Sequence, residues 1–277
     1  MARLDALSIE LQTSGKDKLA EAYGKVIENI KSVSLASVLK NQDLSGDPTT
    51  GTVEAKRFVN VAGATYGTAR GNGKGSAIKV KPVVISLNDN TEYIEEVEEK
   101  DLRTYGVAGL INKRTANHQD MLAVELDTKF FAEAKTAGTA FTTTKTDIKD
   151  VIEEGIETVE TTKNDFVNGV PRNRISIVCS PATYGSLRNA INVVPNSLGL
   201  GQMANYEQGM FNNCKIYSSA FLPSGVNYII MVDGAVAQPV MTSISNPEKV
   251  QLSDATAFGL FAYKGTKAVM EDLIIYA

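Results

Sequence analysis

The sequence predicts an α+β fold, with helices and strands gathered in separate blocks. The strand-like and helical segments do not alternate as strict β-α-β units. One segment has the apolar spacing of a single very long helix, and a glycine-rich, basic, hairpin-like arm interrupts the chain without a core of its own. At 43% hydrophobic content over 277 residues, the chain can bury a real core, as one large domain or two modest ones.

Leu19, Ala22, Tyr23, Val26, Ile27 and Ile30 recur at three- and four-residue spacing, so Lys16 to about Lys31 is predicted to be an amphipathic helix docked on a subunit surface. Residues 41–51, with Gly46, Asp47-Pro48 and several threonines, read as a linker. The arm follows. From Gly51 to Leu87 the bases Lys56, Arg57, Arg70, Lys74, Lys79 and Lys81 stand against the single acid Glu54. Its flanks, Val53 to Ala62 and Ser76 to Leu87, have the β-branched content of strands, and Gly63, Gly67, Gly71, Gly73 and Gly75 lie between them. An isolated two-stranded hairpin is marginal in water, so the arm is expected to lie on another surface, and its charge suggests an acidic one.

The sign of the charge then reverses. Asn88-Asp89-Asn90 is a turn signal, and Glu92, Glu95, Glu96, Glu98, Glu99 and Asp101 precede a helix expected from about Leu102 to Lys135. Leu110, Ile111, Met121, Leu122, Leu126 and Phe130 mark its buried side, and its length would be on the order of 50 Å. The helix dipole accounts for part of the acidic cluster. The surplus pairs with the arm as complementary inter-subunit surfaces: Lys56, Arg57, Arg70, Lys74, Lys79 and Lys81 against Glu95, Glu96, Glu98 and Glu99.

Beyond a break at Gly138 and a run of threonines, Asp147 caps a helix whose Ile148, Val151, Ile152, Ile156 and Val159 fall on one face. Arg174 to Cys179 reads as a buried strand. Ser180-Pro181 then supplies an N-cap and a first-turn proline for a helix from Pro181 to Ile191. A polar loop runs from Asn192 to Asn213. Strands are expected over 215–218, 228–232 and 240–244, and two more, 257–263 and 268–276, join around Gly265.

Composition narrows the function. A net charge of −4 argues against a general nucleic-acid binder, leaving the arm as the only local basic patch. No run of eighteen apolar residues exists and the start lacks the apolar core of a secretory signal, which predicts a cytoplasmic site of synthesis. Cys179 and Cys214, read as small buried thiols, make with His118 a poor metal site; no metal or cofactor is expected. His118 falls in a helical stretch among polar residues and lacks the orienting partner that acid-base work needs. Residues 71–76 fail as a phosphate loop, because Thr68 and Gly75 stand where glycine and a hydroxyl residue are required. Gly199 to Ala204 has the spacing of a dinucleotide turn, but no long strand precedes it. A cytosolic enzyme with carboxylates that meet only in space stays open as an alternative.

The order of parts resembles a known family. An N-terminal arm, a basic hairpin, the run from Ile85-Ser-Leu-Asn-Asp-Asn-Thr-Glu-Tyr-Ile into a long helix, the step Ile175-Ser-Ile-Val-Cys-Ser-Pro-Ala-Thr-Tyr, and the closing Phe258-Gly-Leu-Phe-Ala-Tyr-Lys-Gly are similar to the tailed-bacteriophage major capsid proteins of the Hong-Kong-97 type. The resemblance covers nearly the whole chain in layout. It implies an N-terminal arm over 1–50, an extended E-loop hairpin over 51–90, and a P-domain with a spine helix over 91–145. An A-domain over 146–237 and P-domain return strands over 238–277 complete it. It implies a virion shell built from hexamers and pentamers, made in the bacterial cytoplasm and enclosing double-stranded DNA without sequence-specific binding. Portal, decoration proteins and a scaffolding protein are the implied partners, the last separate because only about 50 residues precede the hairpin. Some members crosslink an E-loop lysine; Lys74 at the tip reads as an ordinary solvated lysine. The encapsulin nanocompartment shell is the alternative within the same fold.

Overall fold

The structure, a computed structural model, describes residues 34–63, 65–67, 77–98, 107–192, 209–244 and 248–277. The expected helix at 16–31, the arm-tip bases Arg70 and Lys74, and Glu99 lie outside the described residues. The described chain is α+β.

A six-stranded sheet forms the centre. Its order is β5 (Thr139–Ala140), β15 (Ile274–Tyr276), β9 (Tyr228–Val232), β6 (Ile175–Cys179), β8 (Cys214–Ser218) and β7 (Met210–Phe211). Every residue of β6 and β9 is buried, as expected of strands covered on both faces. On one face pack α3 (Ile148–Glu160) and α4 (Pro181–Asn192), through Ile152, Ile156, Val159, Leu187 and Ile191 onto Ile175, Ile177 and Ile230. On the other lie Phe130, Phe131 and Ala134 of α2 (Val107–Ala137) with Ala36 and Leu39 of the five-residue α1 (Leu35–Leu39), against Val178, Ile229, Met231 and Ile274. Asp147 caps α3 by accepting from the Lys149 amide at 3.1 Å, and the Ser180 hydroxyl accepts from the Thr183 amide at 3.3 Å at the start of α4. Both caps are as the sequence predicts. Asn212 and Asn213, at φ 46° and 69°, turn the two-residue hairpin between β7 and β8, a left-handed conformation that asparagine tolerates.

A second sheet is centred on β13 (Thr256–Lys264). Along one edge β4 (Asp89–Val97) pairs with it antiparallel from Thr256↔Val97 to Lys264↔Asp89; the other edge is shared by β11 (Val240–Ile244) and β12 (Glu248–Lys249). Here the structure corrects the sequence reading. Asp89, Asn90 and the acids Glu92, Glu95 and Glu96 do not lead directly into a helix; they lie in an edge strand. Its inward positions are Asp89, Thr91, Tyr93, Glu95 and Val97, largely polar, so the apolar alternation that betrays a strand is absent and β13 supplies the pairing. α2 runs 31 residues, about 46 Å, bridging the two sheets. Leu122, Leu126 and Phe130 are buried as expected. Met121 is instead 53% exposed, and the side chains of Leu110 and Ile111 lie outside the described set.

The third unit is the arm base, order β1 (Leu44–Ser45), β2 (Thr52–Phe58), β3 (Val80–Ser86). Its strands are shorter than the segments 53–62 and 76–87 expected. The last expected strand, 268–276, is broken: β14 (Lys267–Ala268) pairs with β10 (Val236–Ala237), and a 3-10 turn at Glu271–Leu273 precedes β15. At the junction Gly265 passes so near β3 that a Cβ there would stand 2.3 Å from the Ser86 carbonyl oxygen.

Candidate assembly surfaces

Alternation along β2 divides the arm into two faces. Val53, Ala55 and Arg57 point to the body, where Ala55 packs with Ile85, Ala237 and Val269. Arg57 is 8% exposed. It donates from Nη1 and Nη2 to the two carboxylate oxygens of Asp272 at 2.5 and 2.8 Å, and its guanidinium lies 4.4 Å from the centre of the Phe166 ring. The Asn164 side-chain amide donates to Asp272 as well, and the Asn60 amide donates to the Asp165 carbonyl at 2.8 Å. Burial pushes the Asp272 carboxyl up, but the Arg57 and Asn164 hydrogen bonds outweigh it and hold the group below the usual carboxylate range. Arg57 therefore anchors the arm to its own chain, and its charge is already paired there. Lys56, Lys79 and Lys81 are exposed.

The opposite face carries a signal the sequence reading missed. Phe58 is 60% exposed, Val80 38%, Val84 44% and Ile78 82%. Apolar side chains dominate this face, with Glu54 and Lys56 among them. The two-residue spacing of Lys56 and Phe58 along β2 is the sequence signal for it.

The acidic cluster is split by the same period of two. Inward, β4 zips onto α2: Thr91 and Tyr93 hydroxyls donate to Glu125 at 2.8 and 2.9 Å, and Arg114 Nε donates to Glu95 at 2.6 Å. Lys129 pairs with Asp89 at 3.3 Å. From β13 the fully buried Lys264 reaches Glu125 at 2.7 Å and Thr91 at 2.6 Å. Burial raises the Glu125 carboxyl, yet the hydrogen bonds from Lys264, Thr91 and Tyr93 keep it below its ordinary value. Glu95 is lowered in the same way against its burial, by Arg114 and His118. His118 is buried, its Nε2 3.2 Å from Glu95 and its ring 5.4 Å from that of Tyr93, a partner that the sequence did not disclose. Outward, Glu92, Glu96 and Glu98 are exposed.

The exposed face of α2 is not acidic among the described residues. Glu125 is paired, Asp127 is buried, and Glu133 accepts from the Ala268 amide at 3.1 Å. Met121, Val124 and Thr128 occupy the outside, with Asp120 as the exposed acid among the described residues. Cys179 and Cys214 are free, buried thiols, both pushed up to about 12 by burial. Among the described residues no cluster suits a metal ion and no helix is long and apolar enough to cross a membrane.

The described residues show an arm fixed at its base by Arg57 and Asp272 and a long helix bridging two sheets. The comparisons name the shell: a family model described as phage capsid protein matches residues 89–271, and the chain belongs to that family. It is a viral structural protein, a major capsid protein of the virion. No curated protein matches the sequence significantly. Among solved structures, that of Mycobacterium phage Che8 is similar at TM-score 0.62 and 17% identity, covering 82% of this chain and 84% of the other. The capsid of cyanophage P-SCSP1u is similar at TM-score 0.62 and 16% identity, covering 88% and 87%. A virus-like particle from Pyrococcus furiosus covers 96% and 97% at TM-score 0.56 and 12% identity. At these identities the likeness is one of fold, the capsid fold of the Hong-Kong-97 type that the sequence layout resembles.

Proposed function

We propose that this subunit forms hexamers and pentamers that close into an icosahedral shell around double-stranded DNA, and that its work is assembly without catalysis. The observation that carries this is the arm: anchored by Arg57 and Asp272 at its base, it presents Phe58, Val80 and Ile78 to solvent. Such a strip is the mark of an interaction site. In this reading 51–90 is the E-loop, 91–145 with 238–277 the P-domain, 146–237 the A-domain, and 1–50 an N-terminal arm. Scaffolding, portal and decoration proteins are the partners that the fold calls for. Exposed Lys56, Lys79 and Lys81 meet Glu96 and Glu98 of a neighbour, weak screened pairs that set register while apolar burial supplies affinity.

Asp47, Glu95, Glu125 and Asp272 are held below the carboxylate range by the hydrogen bonds they accept. Electron microscopy of the purified protein tests the reading: shells, hexamers or tubes are expected, and a compact monomer at high concentration would sink it.

A further inference from the structure

Ser34 is pinned to the middle of α2. Its hydroxyl donates to the Asp127 carboxylate at 2.5 Å, and the Leu35 and Ala36 amides donate to the same group at 3.3 and 2.9 Å. Val124 stands one turn before Asp127 on α2, and Met121 nearly one turn before that; they are 40% and 53% exposed. Two turns beyond Val124, Phe131 is fully buried in the cluster that also holds Ala36 and Leu39 of α1. This side of α2 is therefore covered alongside α1 and exposed toward Val124 and Met121.

The apolar cover nearest in the chain is 16–31. The segment lies outside the described residues, but its sequence sets Leu19, Tyr23, Val26, Ile27 and Ile30 along one side of a helix, a stripe that needs a partner face. Only residues 32 and 33 separate Lys31 from Ser34, so their Cα atoms stand at most about 11 Å apart. That tether holds the end of the segment beside Asp127, within reach of Val124 of its own chain. A helix over 16–31 would be about 24 Å long, and α2 extends about 30 Å from Asp127 back to Val107, enough to carry all of it.

We propose that segment 16–31 folds back on its own subunit as a second helix laid along α2, with Ile30 and Ile27 over Val124 and Tyr23 over Met121. The inference goes beyond the shell reading, because it concerns one subunit and is tested before any assembly.

Full-length subunits carrying Val124→benzoylphenylalanine, mixed from nitrogen-15-labelled and unlabelled cultures, provide the test. Irradiation of the unassembled protein is expected to join residue 124 to a peptide within 16–31 of the same isotope. A join to 16–31 of the other isotope would mean that the segment crosses to a second copy, and products elsewhere, or none, that the seat is wrong; each overturns the proposal. Hydrogen exchange gives an arm that needs no probe. Amides over 19–30 are expected to be protected in the wild-type subunit and to lose that protection about tenfold in Val124→Asp and in Ile27→Asp, while β6 and β9 keep theirs and Val124→Leu matches wild type. Absence of protection in wild type, or protection that survives both aspartates, would overturn the seat. Because Ile27 lies outside the folded body, its variant decides the matter even if Val124→Asp disturbs α2.

Discussion

At Asp272, burial and hydrogen bonding pull in opposite directions, and the partners Arg57 and Asn164 win. A carboxyl whose folded value is lowered stabilises the fold fully above the ordinary range, near 3.9, and loses that contribution as pH falls through the lower folded value. Asp272→Asn leaves the Arg57 guanidinium buried without its counter-charge, and a loss of about 2–3 kcal/mol at pH 7 is expected from urea unfolding. The difference between the two proteins should begin to shrink as pH falls below about 3.9. A constant difference from pH 7 to pH 3 would mean that the clamp acts by shape and not by charge. Gly265 is a different kind of constraint. Its added Cβ would meet backbone, the Ser86 carbonyl oxygen at 2.3 Å, which cannot rotate away as a side chain does. Gly265→Ala is expected to cost about 1–3 kcal/mol and to lower the melting temperature, with the arm base loosening first in hydrogen exchange. An unchanged melting temperature would show that β3 shifts freely.

Among the elements, α1 is too short to hold itself and depends on α2. The buried Asp127 accepts from the Ser34 hydroxyl at 2.5 Å and from the Ala36 and Leu35 amides at 2.9 and 3.3 Å, a capping carboxylate lent by another helix. Asp127→Ala should remove amide protection over 34–40 while global stability falls by only about 1–2 kcal/mol; retained protection would show that Ala36 and Leu39 suffice. The cap contrasts with those the sequence displayed. Asp147 and Ser180-Pro181 act on their own helices, within three residues, and were legible. β9 was legible too, because a buried strand concentrates β-branched and apolar residues. β4 was not, since both its faces are polar and its inward side is satisfied by residues of α2 and β13. The Arg57–Asp272 clamp joins positions 215 apart in the chain, a distance at which no local pattern points from one to the other. The acidic cluster was seen, but its division between a spent inner face and an exposed outer face depends on the pairing of β4, which only the fold reveals.

For the whole molecule, the two faces of the arm separate two physical roles. The body side, with Val53, Ala55 and Arg57, fixes where the arm leaves the subunit; the outer side, with Phe58, Val80 and Val84, is free for a neighbour. Charge and apolar burial on that outer side respond differently to salt, because raising ionic strength from 0.1 to 1 M shortens the screening length from about 10 to 3 Å and strengthens neither ion pair nor steering. Lys56→Glu is therefore expected to slow assembly at low salt and to approach wild-type behaviour at 1 M. Phe58→Ser, which removes the largest apolar group of the row, should impair assembly at both salt concentrations while leaving subunit melting within about 0.5 kcal/mol of wild type, since the side chain is 60% exposed in the subunit. Light scattering across a salt series, with calorimetry on the unassembled protein, reads both. If Phe58→Ser assembled normally and Lys56→Glu failed at every salt concentration, specific pairing rather than apolar cover would hold the shell together, and the apolar row would need another explanation.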